Sequence, residues 1–186
     1  MTTKISVFGG SSPKPETDAY QQAVQLGRLL GEAGYTVLTG GYSGTMEGVS
    51  RGASESGGHV IGVTTDEIES WRPEGPNPWV MEEKRCKTFR ERLNTLVEDC
   101  DAAIALPGGI GTLLEISLAW NLLSINVIET KPLILVGKEW QKIMNTFIKE
   151  LSDYIPMANR EFIAYAPNPK SALDLLKYFS GSCSQN

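Results

Sequence analysis

Three short apolar runs of this chain each stop at a pair of glycines. Residues 5–9 (ISVFG) run into Gly9-Gly10, residues 36–39 (TVLT) into Gly40-Gly41, and residues 102–106 (AAIAL) into Pro107-Gly108-Gly109. Between these runs lie longer amphipathic segments. Residues 16–33 carry Ala19, Ala23, Leu26, Leu29 and Leu30 at helical spacing, and Gly34 follows where a helix C-terminus would place a glycine. Residues 45–56 repeat the pattern with Met46, Val49 and Ala53 before Gly57-Gly58. Short buried strands alternating with helices of ten or more residues fold as right-handed βαβ units, which build a parallel sheet covered on both faces.

Further strands are expected at 59–63, 132–136 and 161–165. Further helices are expected at 81–99, 112–124, 139–151 and 170–179. The fold class is therefore α/β, a Rossmann-like doubly wound parallel sheet in a single domain. That domain spans residues 1–179, with 180–186 as a disordered tail. Residues 65–80 break the rhythm with Pro73, Pro76, Pro78, Trp71 and Trp79, and read as an ordered, lid-like excursion. Sheets of this kind bind ligands outside the carboxyl ends of their strands, where strand order reverses. Three glycine-rich strand ends place the site there.

Composition narrows the chemistry. The 17 basic and 22 acidic residues leave a net charge of −5, without the basic footprint of a nucleic-acid binder or a polybasic membrane patch. A single histidine, His59, rules out any site needing two, and it reads as a surface or strand-end residue. Cys86, Cys100 and Cys183 show no metal or disulfide spacing. Trp120 and Trp140 read as core or interface residues. Neither a signal-peptide core nor an apolar run of ~18 residues is present, so the expected address is cytoplasmic.

The strongest local signal is 107–112, Pro-Gly-Gly-Ile-Gly-Thr, where a strand ends and a helix begins. Glycines let the backbone approach a ligand, and a helix N-terminus offers unpaired N–H groups and partial positive charge to a phosphate. Thr112 adds a hydroxyl, as N-cap or as phosphate donor. A P-loop would need Lys where Gly111 stands, and 9–13 lacks the dinucleotide glycine spacing, so a mononucleotide or sugar phosphate fits better. Glu115 reads either as a capping partner of Thr112 or as a carboxylate facing the sugar. Arg85, Lys87, Arg90 and Arg92, interleaved with Glu82, Glu83, Glu91 and Glu98, read mostly as a solvated helix face, with Arg92 placed to reach the cleft.

With these residues in place, the chain resembles the Lonely Guy family, once labelled lysine decarboxylases. The signature P-G-G-x-G-T-x-x-E is matched by 107–115, 7–12 (VFGGSS) resembles the family's V-F-C-G-S-S, and 39–44 resembles its second glycine loop. The resemblance implies a phosphoribohydrolase that cuts the N-glycosidic bond of cytokinin or adenosine 5′-monophosphates. It places Arg92 and Glu115 as the catalytic pair and Gly108, Gly109, Gly111 and Thr112 at the phosphate. Gly9, Ser11, Gly40, Gly41 and Ser43 fall on nucleotide loops, and Glu74 on a substrate contact. It further implies a homodimer, with no metal or cofactor. Leu93 and Leu114 stand where the family commonly has Lys and Glu, a departure that bears on substrate identity. Decarboxylation through pyridoxal phosphate lacks a visible Schiff-base lysine with ring partners. The rival of another class is a non-catalytic nucleotide or molybdenum-cofactor carrier, and the acidic balance disfavours a DNA-processing role.

Overall fold

The computed structural model describes residues 2–182. Its elements are β1 Lys4–Phe8, α1 Asp18–Glu32, β2 Thr36–Thr39, α2 Thr45–Glu55, β3 Val60–Thr65, α3 Asp66–Trp71, β4 Glu82–Cys86, α4 Phe89–Glu98, β5 Ala102–Ala105, α5 Ile110–Ser124, β6 Leu133–Val136, α6 Lys138–Glu150, α7 Met157–Arg160, β7 Ile163–Ala166 and α8 Pro169–Ser182. The strands form one parallel sheet in the order β4-β3-β2-β1-β5-β6-β7. The chain winds outward from β1 to β4, returns to the other side of β1, and continues to β7. The reversal therefore falls between β1 and β5, whose registers pair Ile5 with Ala102 and Phe8 with Ala105.

Side chains alternate along each strand, so the centre of the sheet carries an apolar layer on each face, covered by helices. On β5, Ala102 and Ile104 pack beneath α1, α2 and α8, together with Leu26, Leu30, Val49, Ala53 and Leu173. Ala103 and Ala105 pack beneath α4, α5 and α6, with Leu96, Ile116, Leu123, Trp140 and Met144. Each of the large aliphatic side chains among these contributes roughly 1.5–3 kcal/mol by leaving water. α1 begins at Thr17, whose hydroxyl accepts from Tyr20 N at 3.3 Å, and ends before Gly34 at a φ of 77°. α1 and α2 run backbone against backbone, since a Cβ at Gly27 or Gly52 would strike the carbonyl of Val49 or Val24.

The stretch expected as one helix over 81–99 is instead a strand and a helix. β4 is an edge strand whose Glu82–Arg85 side chains are exposed, so it shows no apolar alternation. Charges on such an edge discourage pairing with other chains. They pair across the fold and not along a helix: Lys84 meets Asp99, and Arg85 meets Asp66 and Glu69. α4 starts at Thr88, which accepts from Glu91 N at 3.1 Å while Glu91 accepts from Lys87 N at 2.9 Å. A Thr-x-x-Glu spacing of this kind favours a helix start.

The excursion over 65–80 opens with the short helix α3. His59 lies just before β3 and reaches Glu82 at 2.9 Å. Trp140 is core, its Nε1 donating to Leu106 O at 3.0 Å, whereas Trp120 is half-buried and donates to Asn159 O. Cys86 and Cys100 are buried thiols; Cys183 and the rest of 183–186 lie outside the described residues. No helix among the described residues is long and apolar enough to cross a membrane.

Candidate active site

Two loops meet at the carboxyl ends of β1 and β5, where strand order reverses. Gly10 N donates to Pro107 O at 3.3 Å, and a Cβ on Gly10 would stand 3.3 Å from Gly108 Cα. Only glycines let the two backbones come this close. Above the junction opens a cleft of about 470 Å³, lined by the 9–12 loop, the start of α5, and residues of α3 and α4.

One wall is the N-terminus of α5. Its N-cap is Gly109, with no side-chain cap, and the first intrahelical bond runs from Leu113 N to Gly109 O at 3.0 Å. The amides of Ile110, Gly111 and Thr112 precede that bond, giving the end a partial positive charge without a covering side chain. A Cβ at Gly109 or Gly111 would meet nothing within 4 Å, so protein packing does not account for either glycine. The space they leave suits an anion resting on the amides. Thr112 is the third helical residue, buried beside Gly108. The expectation of Thr112 as N-cap with Glu115 as its capping partner is thereby corrected, because a cap must precede the first turn.

Glu115 lies one turn further along α5, on the same wall. Burial pushes its carboxyl from the ordinary 4.5 up to about 7, and the nearby Arg92 charge only partly opposes this. Arg92, 5% exposed, comes from the first turn of α4. Its Nε donates to Val63 O at 2.7 Å and its Nη2 to Gly40 O at 2.9 Å. The guanidinium thus clips the ends of β2 and β3 together, with the Tyr42 ring 5.5 Å away. Burial lowers its hold on the proton, and Glu115 and Tyr42 counter that. A carboxyl poised near neutrality can steady a sugar cation and accept a proton from water, while a fixed cation can stabilise a leaving group that gains electrons.

Of the residues singled out from sequence, Gly9, Ser11, Arg92, Gly109, Gly111, Thr112 and Glu115 line this one cleft. The others stand behind it. Gly108 makes the loop contact with Gly10, Gly40 leaves room for the Arg92 guanidinium, and Gly41 turns the chain at a φ of 80°. Ser43 donates to Glu74 at 3.0 Å, so these two bind each other beside the cleft. Sequence reasoning missed Tyr42, Met46, Ile68, Trp71, Arg72 and Phe89, which also line it. Tyr42 and Met46 adjoin the second glycine loop, a usable signal. The others belong to the irregular stretch and the start of α4, where no local pattern points inward. Leu93 faces the cleft from α4, while Leu114 is 41% exposed on α5.

The chain has relatives among known proteins. The sequence profile of the SLOG cluster4 family matches residues 2–163. The chain is similar to cytokinin riboside 5′-monophosphate phosphoribohydrolase LOG2 of Arabidopsis thaliana, 32% identical over 183 residues that cover 95% of this chain and 83% of that protein. It is 33% identical to the probable cytokinin riboside 5′-monophosphate phosphoribohydrolase LOGL6 of Oryza sativa subsp. japonica, over 95% of this chain and 71% of that one. Among solved structures, the molybdenum cofactor binding protein of the phototrophic bacterium Rippkaea orientalis aligns with a TM-score of 0.76 at 26% identity, covering 96% of this chain and 98% of that one.

Proposed function

The chain belongs to the SLOG cluster4 family, and on that premise we propose that it is a phosphoribohydrolase releasing adenine or a prenylated adenine from a nucleoside 5′-monophosphate. One observation carries the reading: an uncovered helix terminus and a carboxyl held near pH 7 share a single cleft, one helical turn apart. The terminus suits the 5′-phosphate, and the carboxyl suits the ribose beyond it.

In this scheme the phosphate rests on the amides of 110–112 and anchors the ribose beside Glu115. Cleavage of the C1′–N bond sends its electron pair to the base nitrogen and leaves an oxocarbenium-like sugar. The ionised Glu115 carboxylate stabilises that charge and takes a proton from the attacking water, whose oxygen bonds to C1′. The departing base takes up a proton from solvent, Glu115 returns the water's proton to solvent, and ribose 5-phosphate remains. Arg92, held rigidly by two carbonyls, keeps positive charge opposite Glu115 and aids the leaving base as it gains electrons.

Relatives of this type are named for phosphoribohydrolase activity, which favours an enzyme. The similarity to a molybdenum cofactor binding protein favours a second reading, a carrier that holds a phosphorylated ligand on the same loop and breaks no bond. Incubation with a panel of nucleoside 5′-monophosphates, scored by chromatography for free base, separates them. Release of a base supports the enzyme; binding without release supports the carrier.

A further inference from the structure

The irregular stretch after β3 brings to the cleft a cation that the scheme above leaves without a task. Pro73 bars the helical region to the residue before it. Arg72 accordingly adopts φ −130° and ψ 101°, which ends α3. Both flanks of Arg72 are pinned. On one side, Glu67 accepts from Phe89 N at 2.6 Å, and Arg85 holds Asp66 and Glu69. On the other, the buried Asn77 donates from its backbone and its side chain to Gly41 O at 2.7 and 2.9 Å, and from its side chain to Tyr42 O at 3.0 Å. Between these anchors Arg72 Nη2 donates to Ser11 Oγ at 3.2 Å, and both residues line the cleft.

Charge accounting sets Arg72 apart. Arg85 is neutralised by Asp66, Glu69 and Glu83, and Arg92 gives its hydrogen bonds to two carbonyls. Glu74, two residues beyond Arg72, accepts instead from Ser43. Among the described residues Arg72 forms no ion pair, so the cleft holds a half-buried guanidinium without a carboxylate. A phosphate monoester carries about −1.5 to −2 charges, whereas a helix terminus offers only about +0.5. The ionised Glu115 adds repulsion. A guanidinium fork matches phosphate oxygens in both charge and shape.

We propose that Arg72 binds the 5′-phosphate, trading the Ser11 hydroxyl for phosphate oxygens, and that the Pro-rich stretch exists to select phosphorylated over unphosphorylated nucleosides. This rests on the reading that a phosphate occupies the α5 terminus. Calorimetric titration tests it with AMP and adenosine analogues whose ribose ring oxygen is replaced by carbon, so that the glycosidic bond stays intact. The proteins are the natural chain, Arg72→Ala, Arg72→Lys, and Arg72→Gln, which removes the charge but keeps a donor for Ser11. Arg72→Ala and Arg72→Gln should each weaken the AMP analogue roughly 10- to 100-fold and leave the adenosine analogue unchanged, with Arg72→Lys recovering part of the loss. If Arg72→Gln folds and keeps the natural preference for the phosphorylated analogue, the role of Arg72 is overturned while the α5 phosphate site stands. If the natural chain itself shows no such preference, both fall.

Discussion

Arg92 and Glu115 stand at one cleft without neutralising each other. Arg92 directs its Nε and Nη2 to the carbonyls of Val63 and Gly40, at 2.7 and 2.9 Å, so main-chain dipoles hold its charge. Glu115 feels that charge through space only, burial outweighs it, and the carboxyl sits at about 7. A direct ion pair would have pulled Glu115 down and made it a fixed counter-ion. As arranged, it can accept a proton near neutral pH.

The raised carboxyl makes stability depend on pH. Between the ordinary 4.5 and about 7 the folded protein keeps the Glu115 proton and the unfolded chain does not. The contribution is therefore fully present below 4.5 and lost as pH rises through 7. Glu115→Gln carries no such penalty. Its stability relative to the natural chain should therefore be about 1–3 kcal/mol greater at pH 8 than at pH 4. Denaturant melts at both pH values check this, and equal differences would contradict it.

Gly111 offers a test of the loop. A Cβ there meets no protein atom within 4 Å, and the position is helical, so Gly111→Ala should fold with unchanged or higher stability, by up to ~1 kcal/mol. The added methyl stands where the phosphate is expected, so affinity for AMP should fall at least about 10-fold. A variant that binds AMP normally would move the phosphate elsewhere.

AMP should raise the melting temperature of the Glu115→Gln protein, in which ligand persists, and adenosine should do much less. At a hundred times its dissociation constant a ligand adds about 2.7 kcal/mol to the folded state. Equal shifts would mean that the glycine loop does not hold the phosphate.

Much of this was legible because the strand ends and glycine loops are local features. Residues 36–39 read as a strand and are one, and the glycine-rich ends of β1 and β5 do meet at the reversal of strand order. Arg92 and Glu115 were reached through a signature motif, and the fold supplies the reason that they share a cleft. β4 was unreadable as a strand because an exposed edge keeps no apolar alternation, and its charges imitate the pairing of a solvated helix. Arg72 was hidden for a different reason. Its position depends on Pro73 and on anchors at Asn77 and Glu67, whose partners lie far off in sequence.

α5 also bears on assembly. Of its apolar residues, Leu123 lies in the chain's own core, and Leu118, Trp120 and Leu122 pack partly against it. The uncovered apolar surface is instead Ile110, Leu113 and Leu114, exposed at 88%, 40% and 41%. We expect a symmetric dimer, with Leu114→Lys weakening it, read by sedimentation velocity at micromolar concentration. A monomer there would contradict the expectation.

The most direct test of the central claim is base release from AMP by Glu115→Gln, measured on the same preparation as its affinity for AMP. AMP should still bind, as tightly or more so once repulsion with the phosphate is relieved. Turnover should fall by roughly 10² or more, as when a general base or preorganised stabiliser is lost. A Glu115→Gln protein that binds AMP and releases adenine at the natural rate would contradict it and remove Glu115 from the chemistry.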